Sequence, residues 1–359
     1  MTDFIVPRIF EPLRLLAKTL IPLFGLVSAL TSFSAQAGII LDSTPEASLT
    51  FPKGDGYVGF DTHYRLSDQF FDSSGSLTST FPDGGTERFH DVQFTIESAY
   101  GLTNELTIWL NFPLAYRMET DLLRVDTFGL GDVRAGVHYR FWGGPEEVPE
   151  MAFGVFGKFP SGGTAIGFSD PTRGVEPDLP LGDGSLDLTP IFLAKQHLAR
   201  TFSLEEAVSY TFRFDSLVEY LRTDPVSQTA PDGTIYSLPV GNLEIDWGDE
   251  VDLRLRLAWK FLPPLTLAGE GHYFYRRSTE LRGFALSVIN GSLAATPAST
   301  SLSSGYVVSV RPSLLWEFGK EWALRVAAEI PLKGESYPNI PLVESLVGNA
   351  YQCEVRHAF

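Results

Sequence analysis

The sequence predicts an all-β chain: a transmembrane up-and-down antiparallel β-barrel of about 12 strands, with long outer loops and short periplasmic turns. Three observations carry this prediction. Apolar residues recur at every second position in one segment after another, with charged or polar residues between them. The segments reach about ten residues or more, enough for a tilted strand to cross a bilayer, whereas strands of soluble sheets commonly stop at about five or six. The connections alternate strictly between short turns and long polar loops, the rhythm of a barrel whose two rims face different compartments.

The chain has 359 residues, and the first 37 differ from the rest. Arg8, Arg14 and Lys18 precede the apolar run "LIPLFGLVSALTSF", and "SAQA" places Ala35 and Ala37 before a cut ahead of Gly38. Residues 1–37 therefore read as a secretory signal peptide. Residues 38–55 form a periplasmic N-terminal lead. Its apolar start and Pro52 suggest entry into the barrel from below as a gate. Residues 56–359 are the expected barrel.

Alternation is clearest in "ELTIWLNFPLAYR", where Leu106, Ile108, Leu110, Phe112, Leu114 and Tyr116 share one face and Thr107, Asn111 and Arg117 lie on the other. In "EVDLRLRLAWK" the apolar set Val251, Leu253, Leu255, Leu257 and Trp259 opposes Asp252, Arg254, Arg256 and Lys260. The same period places strands near 56–65, 90–100, 105–117, 130–142, 150–160, 185–197, 202–214, 248–260, 264–277, 305–318, 321–332 and 349–359. Long polar loops are expected near 66–89, 118–129, 161–184, 215–247, 278–304 and 333–348. An even strand count puts both ends of the barrel on the short-turn side. The last strand then closes on the first and removes sheet edges that hydrocarbon would leave unsatisfied.

Aromatic residues fall in two belts. Trp142, Trp259, Trp316 and Trp322, with Tyr100, Phe141, Phe261 and Phe318, lie near the short turns. Tyr116, Phe214, Tyr273, Tyr275 and Tyr306 lie near the long loops. Trp109 points inward at mid-strand and joins neither belt. Glu206 conflicts with the pattern, falling outward beside Leu204, Val208 and Tyr210 unless a bulge resets the register.

The terminal stretch "YQCEVRHAF" resembles the C-terminal sorting signal of Gram-negative outer-membrane barrels, with Phe359 last and Tyr351, Cys353, Val355 and His357 at alternate positions behind it. That resemblance implies the barrel-assembly machinery as a partner. The blocks "SLTFPKGDGYVGFDTHYRLSDQFFDSSG", "YGLTNELTIWLNFPLAYR", "GLGDVRAGVHYRFW" and "GKFPSGG" followed by "LGDGSLDLTP" are similar, in this order, to the outer-membrane barrel family named for the meta-pathway of phenol degradation. The likeness spans roughly the first half of the mature chain, and "PSGG" replaces the Pro-Thr-Gly more common there. Members are described as transporters of hydrophobic or aromatic compounds. The resemblance therefore implies a small solute of that kind, and outer-membrane lipid and lipopolysaccharide as surroundings.

Composition narrows the function classes. A net charge of −17 and a pI near 4.7 argue against a nucleic-acid partner. One cysteine, Cys353, excludes a disulfide framework and a Cys-based zinc site. "GLGDV" leads into a strand, so it is not a phosphate loop, and no cofactor or metal is expected. The six histidines are His63, His90, His138, His197, His272 and His357, lying on separate strands with no nucleophile elbow or HExxH, so no enzyme is expected.

The inward set holds the candidate path residues Arg134, His138, Arg140, Arg254, Arg256, Glu270, His272, Arg276 and Arg311. Asp132, Asp187, Lys195, Arg213, Asp252, Glu317, Arg325, Glu329, Glu354 and Arg356 accompany them. Two readings stand. The charges pair across a narrow lumen as a structural plug, or the arginines leave a positive potential that guides anionic solutes. The outer loops carry most of the acidic excess, which solvates them or binds divalent cations that bridge lipopolysaccharide. "FALSVINGSLAATPAS" and "NIPLVESLVG" are apolar for outer loops; they fold into the mouth or pack together. The expected function is passive passage of small molecules through the outer membrane, with an occluded structural or surface-interaction barrel as the alternative.

Overall fold

The computed structural model describes residues 50–71, 76–78, 88–120, 124–143, 149–163, 181–218, 226–229, 235–238, 240–289, 292–302, 304–319, 321–335 and 348–359. Twelve staves form the barrel: β1 (Gly56–Ser67), β2 (Arg88–Gly101), β3 (Leu106–Thr120), β4 (Val133–Trp142), β5 (Glu150–Phe159), β6 (Asp187–Ala199), β7 (Phe202–Arg213), β8 (Glu250–Leu262), β9 (Leu265–Arg276), β10 (Gly305–Phe318), β11 (Trp322–Glu335) and β12 (Ala350–Ala358). Each pairs antiparallel with the next. β12 closes on β1 from Tyr57 opposite Ala358 to Arg65 opposite Ala350. The cylinder therefore has no free edge, as a bilayer demands of a sheet.

Alternation decides what each stave shows to lipid. On β8, Leu253, Leu255, Leu257 and Trp259 are exposed on the outer wall, while Arg256 and Ala258 are buried inside. On β3, Ile108 and Phe112 face out, and Thr107, Trp109 and Ala115 are buried. On β12, Tyr351 faces out and Glu354 and Arg356 are buried. A one-residue slip would turn the charged row into the hydrocarbon, so the register is strongly fixed.

The short-turn belt forms a run of touching rings. Phe202 stacks on Trp259 at 5.8 Å, Trp316 lies 5.2 Å from Phe318, Phe318 stacks on Trp322 at 6.4 Å, and Trp322 meets His357 edge-on at 4.5 Å. His357 thus takes an aromatic position in the belt despite its polarity. At the other rim Tyr273 stacks on Tyr306 at 6.1 Å.

Two expectations need correction. The connections near 118–129, 215–247 and 278–304 are not plain polar loops. Arg124–Leu130 pairs back onto the outer half of β3, and Ser216–Val218, Val240–Asp246, Thr279–Ile289 and Ser292–Leu302 form a four-stranded sheet. Long connections must satisfy their own backbone donors, and these do so by pairing with β3 or with one another in a separate sheet. "FALSVINGSLAATPAS" falls in the Thr279–Ile289 and Ser292–Leu302 hairpin. Most of "NIPLVESLVG" lies outside the described residues.

The second correction concerns Glu206. A register shift does occur on β7, between Phe202 and Ser203, but it lies too near the turn to rescue Glu206. Glu206 stays opposite Ala194 and the outward Leu255, while its neighbour Glu205 is buried inside.

Candidate functional site

The lumen is organised in three levels, starting from the short-turn end. The first is an aromatic plug. Residues 50–55 fold beneath β1 and place Phe51 inside the barrel, 3% exposed, with its ring 5.5 Å from Tyr57. The Phe51 N–H donates to Thr107 Oγ1 (2.7 Å), the Lys53 N–H to Asn104 Oδ1 (3.0 Å), and the Gly54 N–H to the Gly101 carbonyl (2.9 Å). Gly101 is required here, because any Cβ would strike the Pro52 carbonyl. Tyr57 meets Trp109 edge-on at 6.3 Å, and Phe156 meets Trp109 at 6.0 Å. His138 is wholly buried between Trp109 (5.5 Å) and Phe156 (4.9 Å), over Gly154, which has no side chain to obstruct it.

The second level is a cavity of about 400 Å³, with Trp109 and Phe156 among its lining residues. Arg254 and Arg311 line one side; Asp61, Gln93, Glu97 and Asn111 line the other, with Arg134 beside Asn111 on the adjacent stave. Most lumenal charges around it are paired. Arg254 binds Asp252 (2.8 Å), which also receives His272 Nε2 (2.9 Å). His272 Nδ1 lies 3.3 Å from Glu329, which holds Arg311 at 2.9 Å; Arg311 also reaches Glu270 at 3.5 Å. Glu205 takes Arg256 (2.8 Å) and Lys195 (3.2 Å). Glu354 takes Arg356 and, at 3.8 Å, Arg325. Opposite charges in a confined, partly dry lumen attract far more strongly than in water, so these pairs lock the staves together.

The third level is a knot at the outer rim, where the motifs "GLGDV", "GKFPSGG" and "LGDGS" meet. Asp132 accepts the N–H of Gly162 (2.9 Å) and of Asp183 (3.3 Å). Lys158 bridges Asp183 and Asp187, the latter at 2.6 Å. Arg213 joins Asp183 to Glu250 (2.9 Å) and stacks on Trp247 at 4.9 Å. A Cβ on Gly162 would strike the Gly182 backbone, and one on Gly182 would strike the Asp132 carboxylate. Burial raises the Asp183 carboxyl, but Arg213 and then Lys158 outweigh it and hold the group well below the usual aspartate value.

The candidate path residues thus separate by position. Arg134, Arg254 and Arg311 line the cavity. His272 and Glu270 stand behind it in the ion-pair network, Arg256 pairs with Glu205, and Arg276 binds Glu250 at 2.8 Å near the outer rim. His138 belongs to the aromatic plug. Arg140 is buried near the short turn, donating to the Asn104 carbonyl. Phe359 exchanges two backbone bonds of 3.0 Å with Gly56, so the chain's end is held where β1 begins. Sequence reasoning passed over Asp61, Glu97, Lys158 and Glu205. Alternation along "GFDTHYR" would have found Asp61, since Phe60 and Thr62 flank it on the outward face. Among the described residues no group of three His, Cys, Asp or Glu side chains is placed to hold a metal ion. Ser309, beside His272, is buried, donates to Glu329 (2.9 Å) and lies 3.3 Å from His272 Nδ1.

By sequence, no protein family and no curated protein matches the chain. By structure it is similar to the COG4313 outer membrane channel from Pseudomonas putida F1, at 13% identity and a TM-score of 0.58, over 89% of this chain and 100% of that one. Lower likenesses include a deletion mutant of the TodX monoaromatic hydrocarbon channel (12% identity, TM-score 0.43, covering 87% and 91%) and the NanC porin (9%, 0.42, covering 84% and 98%). The likeness at a TM-score of 0.58 establishes the fold as a closed barrel of the outer-membrane type.

Proposed function

We propose that the chain is a passive outer-membrane channel for small hydrophobic or aromatic molecules, exported as a precursor and cleaved near Ala37. The observation that carries this reading is a cavity enclosed by a continuous barrel and bordered by aromatic rings, with the Phe51 segment inserted at its inner end by side-chain packing and by backbone hydrogen bonds of Phe51, Lys53, Gly54 and Asp55. The apolar exterior supports an outer-membrane location, and the inserted lead is assigned the role of a gate. The aromatic substrate class draws its support from the family resemblance and from Trp109 and Phe156 in the lining.

The test is conductance of the barrel, residues 38–359, in a planar bilayer with and without small aromatic acids. Ion conductance that the aromatic solute blocks supports the reading. A correctly folded barrel that neither conducts nor binds such solutes removes it.

One feature favours a second reading. The paired lumenal charges and the separate four-stranded sheet of the long connections also suit an occluded barrel that works through its outer surface. Loss of surface binding on deleting the Thr279–Leu302 hairpin, with solute uptake unchanged, would support that alternative.

A further inference from the structure

We infer that the slot filled by the Phe51 ring is a binding subsite for a small neutral aromatic solute carrying a hydrogen-bond-accepting oxygen, and that such a solute displaces the lead by taking its place. This rests on the channel reading and narrows its substrate class.

The slot is built by register. One cross-strand row runs from β1 to β5 through Tyr57, Ala99, Trp109, Gly136 and Phe156, each directly opposite the next. Large rings alternate with residues that have little or no side chain, so the row forms a shelf with a gap over Ala99 and another over Gly136. The Phe156 ring covers the gap at Gly136, where a Cβ would strike it. The gap at Ala99 is covered from outside the staves: Phe51 packs with Tyr57, Ala99 and Trp109 in one buried cluster. Its ring therefore occupies a place that the barrel wall itself leaves to a planar ring of that size.

The fit of Phe51 is incomplete in one respect. The Tyr57 hydroxyl and the Trp109 Nε1 are buried with no hydrogen-bond partner among the described residues, and the two side chains belong to residues only 3% and 6% exposed. Buried tyrosine and tryptophan normally find an acceptor for these groups, and an indole N–H can only donate. A phenyl ring offers none. A solute ring of the same size bearing a carbonyl oxygen keeps the packing of Phe51 and adds a hydrogen bond that Phe51 cannot make. A charged head group would have to leave water for a slot of rings, and Arg356, over the Tyr57 ring at 4.8 Å, is already bound to Glu354. The solute that fits is therefore neutral. Its route is short, because Trp109 and Phe156 also line the neighbouring cavity.

The experiment measures binding to the detergent-solubilised barrel, residues 38–359, by calorimetry against protein-free micelles, with block of conductance as a second readout. The probes are acetophenone and 2-phenylpropene, its hydrocarbon isostere with a methylene in place of the carbonyl oxygen. The ketone is expected to bind about tenfold more tightly. Phe51→Ala, which takes the lead's own ring out of the slot, should tighten both probes by at least about tenfold. In that background Tyr57→Phe and Trp109→Phe each remove one donor and keep a ring, and together they should bring the ketone to within about twofold of the hydrocarbon. Should Trp109→Phe fail to fold, 3-benzothienylalanine at that position keeps the full bicyclic ring and removes only the N–H. Equal affinities for the two probes, as a resident water on both donors would give, overturn the inference, while binding of both keeps the channel reading intact. Affinities unchanged by Phe51→Ala also overturn it, because the solute then binds elsewhere, as does a ketone preference that survives loss of both donors. Absence of binding and of block by either probe, in Phe51→Ala as well as in the native barrel, removes the channel reading and this inference together.

Discussion

Replacing Phe51 by alanine should loosen the inner plug without disturbing the barrel. The Phe51 ring is almost wholly buried against Tyr57 within a group that includes Ala99 and Trp109. Burial of a phenylalanine side chain contributes about 1.5–3 kcal/mol, and the cavity left behind adds to the loss. The site lies at a mouth where neighbours can relax, so about 3 kcal/mol is a reasonable total. The hydrogen bonds from Lys53 and Gly54 survive the substitution, because they use backbone donors. At about 1.4 kcal/mol per tenfold, the ratio of undocked to docked lead rises by about 100-fold. Single-channel recording should show open events more frequent by about that factor, with Phe51→Leu intermediate. A chain beginning at Gly54 sets the fully released limit. If that truncated barrel folds and conducts no more than the intact one, the lead does not close the path and the reasoning is wrong.

Three other outcomes follow from the same structure. Glu205→Gln leaves buried Arg256 and Lys195 without their shared counter-charge and should cost about 3–5 kcal/mol in urea unfolding, much of it recovered when Arg256→Met is added; no recovery would mean that the pair is not the source. Glu206→Leu removes a carboxylate from the outer wall and should raise stability by about 1 kcal/mol, since acidic residues facing lipid cost less than basic ones; a fall would reveal an outer partner for Glu206. Because Asp183 has a depressed folded pKa, its contribution to the rim knot is complete above the ordinary aspartate value and is lost only as the pH falls through the lower folded value. Hydrogen exchange at 181–186 should therefore stay slow at pH 5 in the native chain and be fast already at pH 7 in Asp183→Asn, with equal rates in the two arguing against the knot.

The sequence by itself determined the barrel. Period two is a local property of the chain, so the twelve staves, their apolar faces, their short turns and both aromatic belts could be read from residues a few positions apart. The observed staves depart from the expected ones by at most three residues at either end, and the range 305–318 is recovered as Gly305–Phe318. Expected polar loops that proved to be strands were missed because their pairing partners, such as Val240–Asp246 against Thr279–Ile289, lie far apart in sequence.

Only the tertiary structure decided what the lumen is. Alternation says that Arg254 and Arg311 point inward. The stagger of the closed sheet decides that Asp252 and Glu329 meet them, and which carboxylates remain to border the cavity. In the pair Glu205–Glu206, composition is identical at both positions; register alone gives one Arg256 and sets the other against Leu255. Phe51 sits outside every strand, and nothing periodic announces that its ring fills the space between Tyr57 and Trp109. Such contacts join residues about 50 positions apart, and the closure of the cylinder is what brings them together.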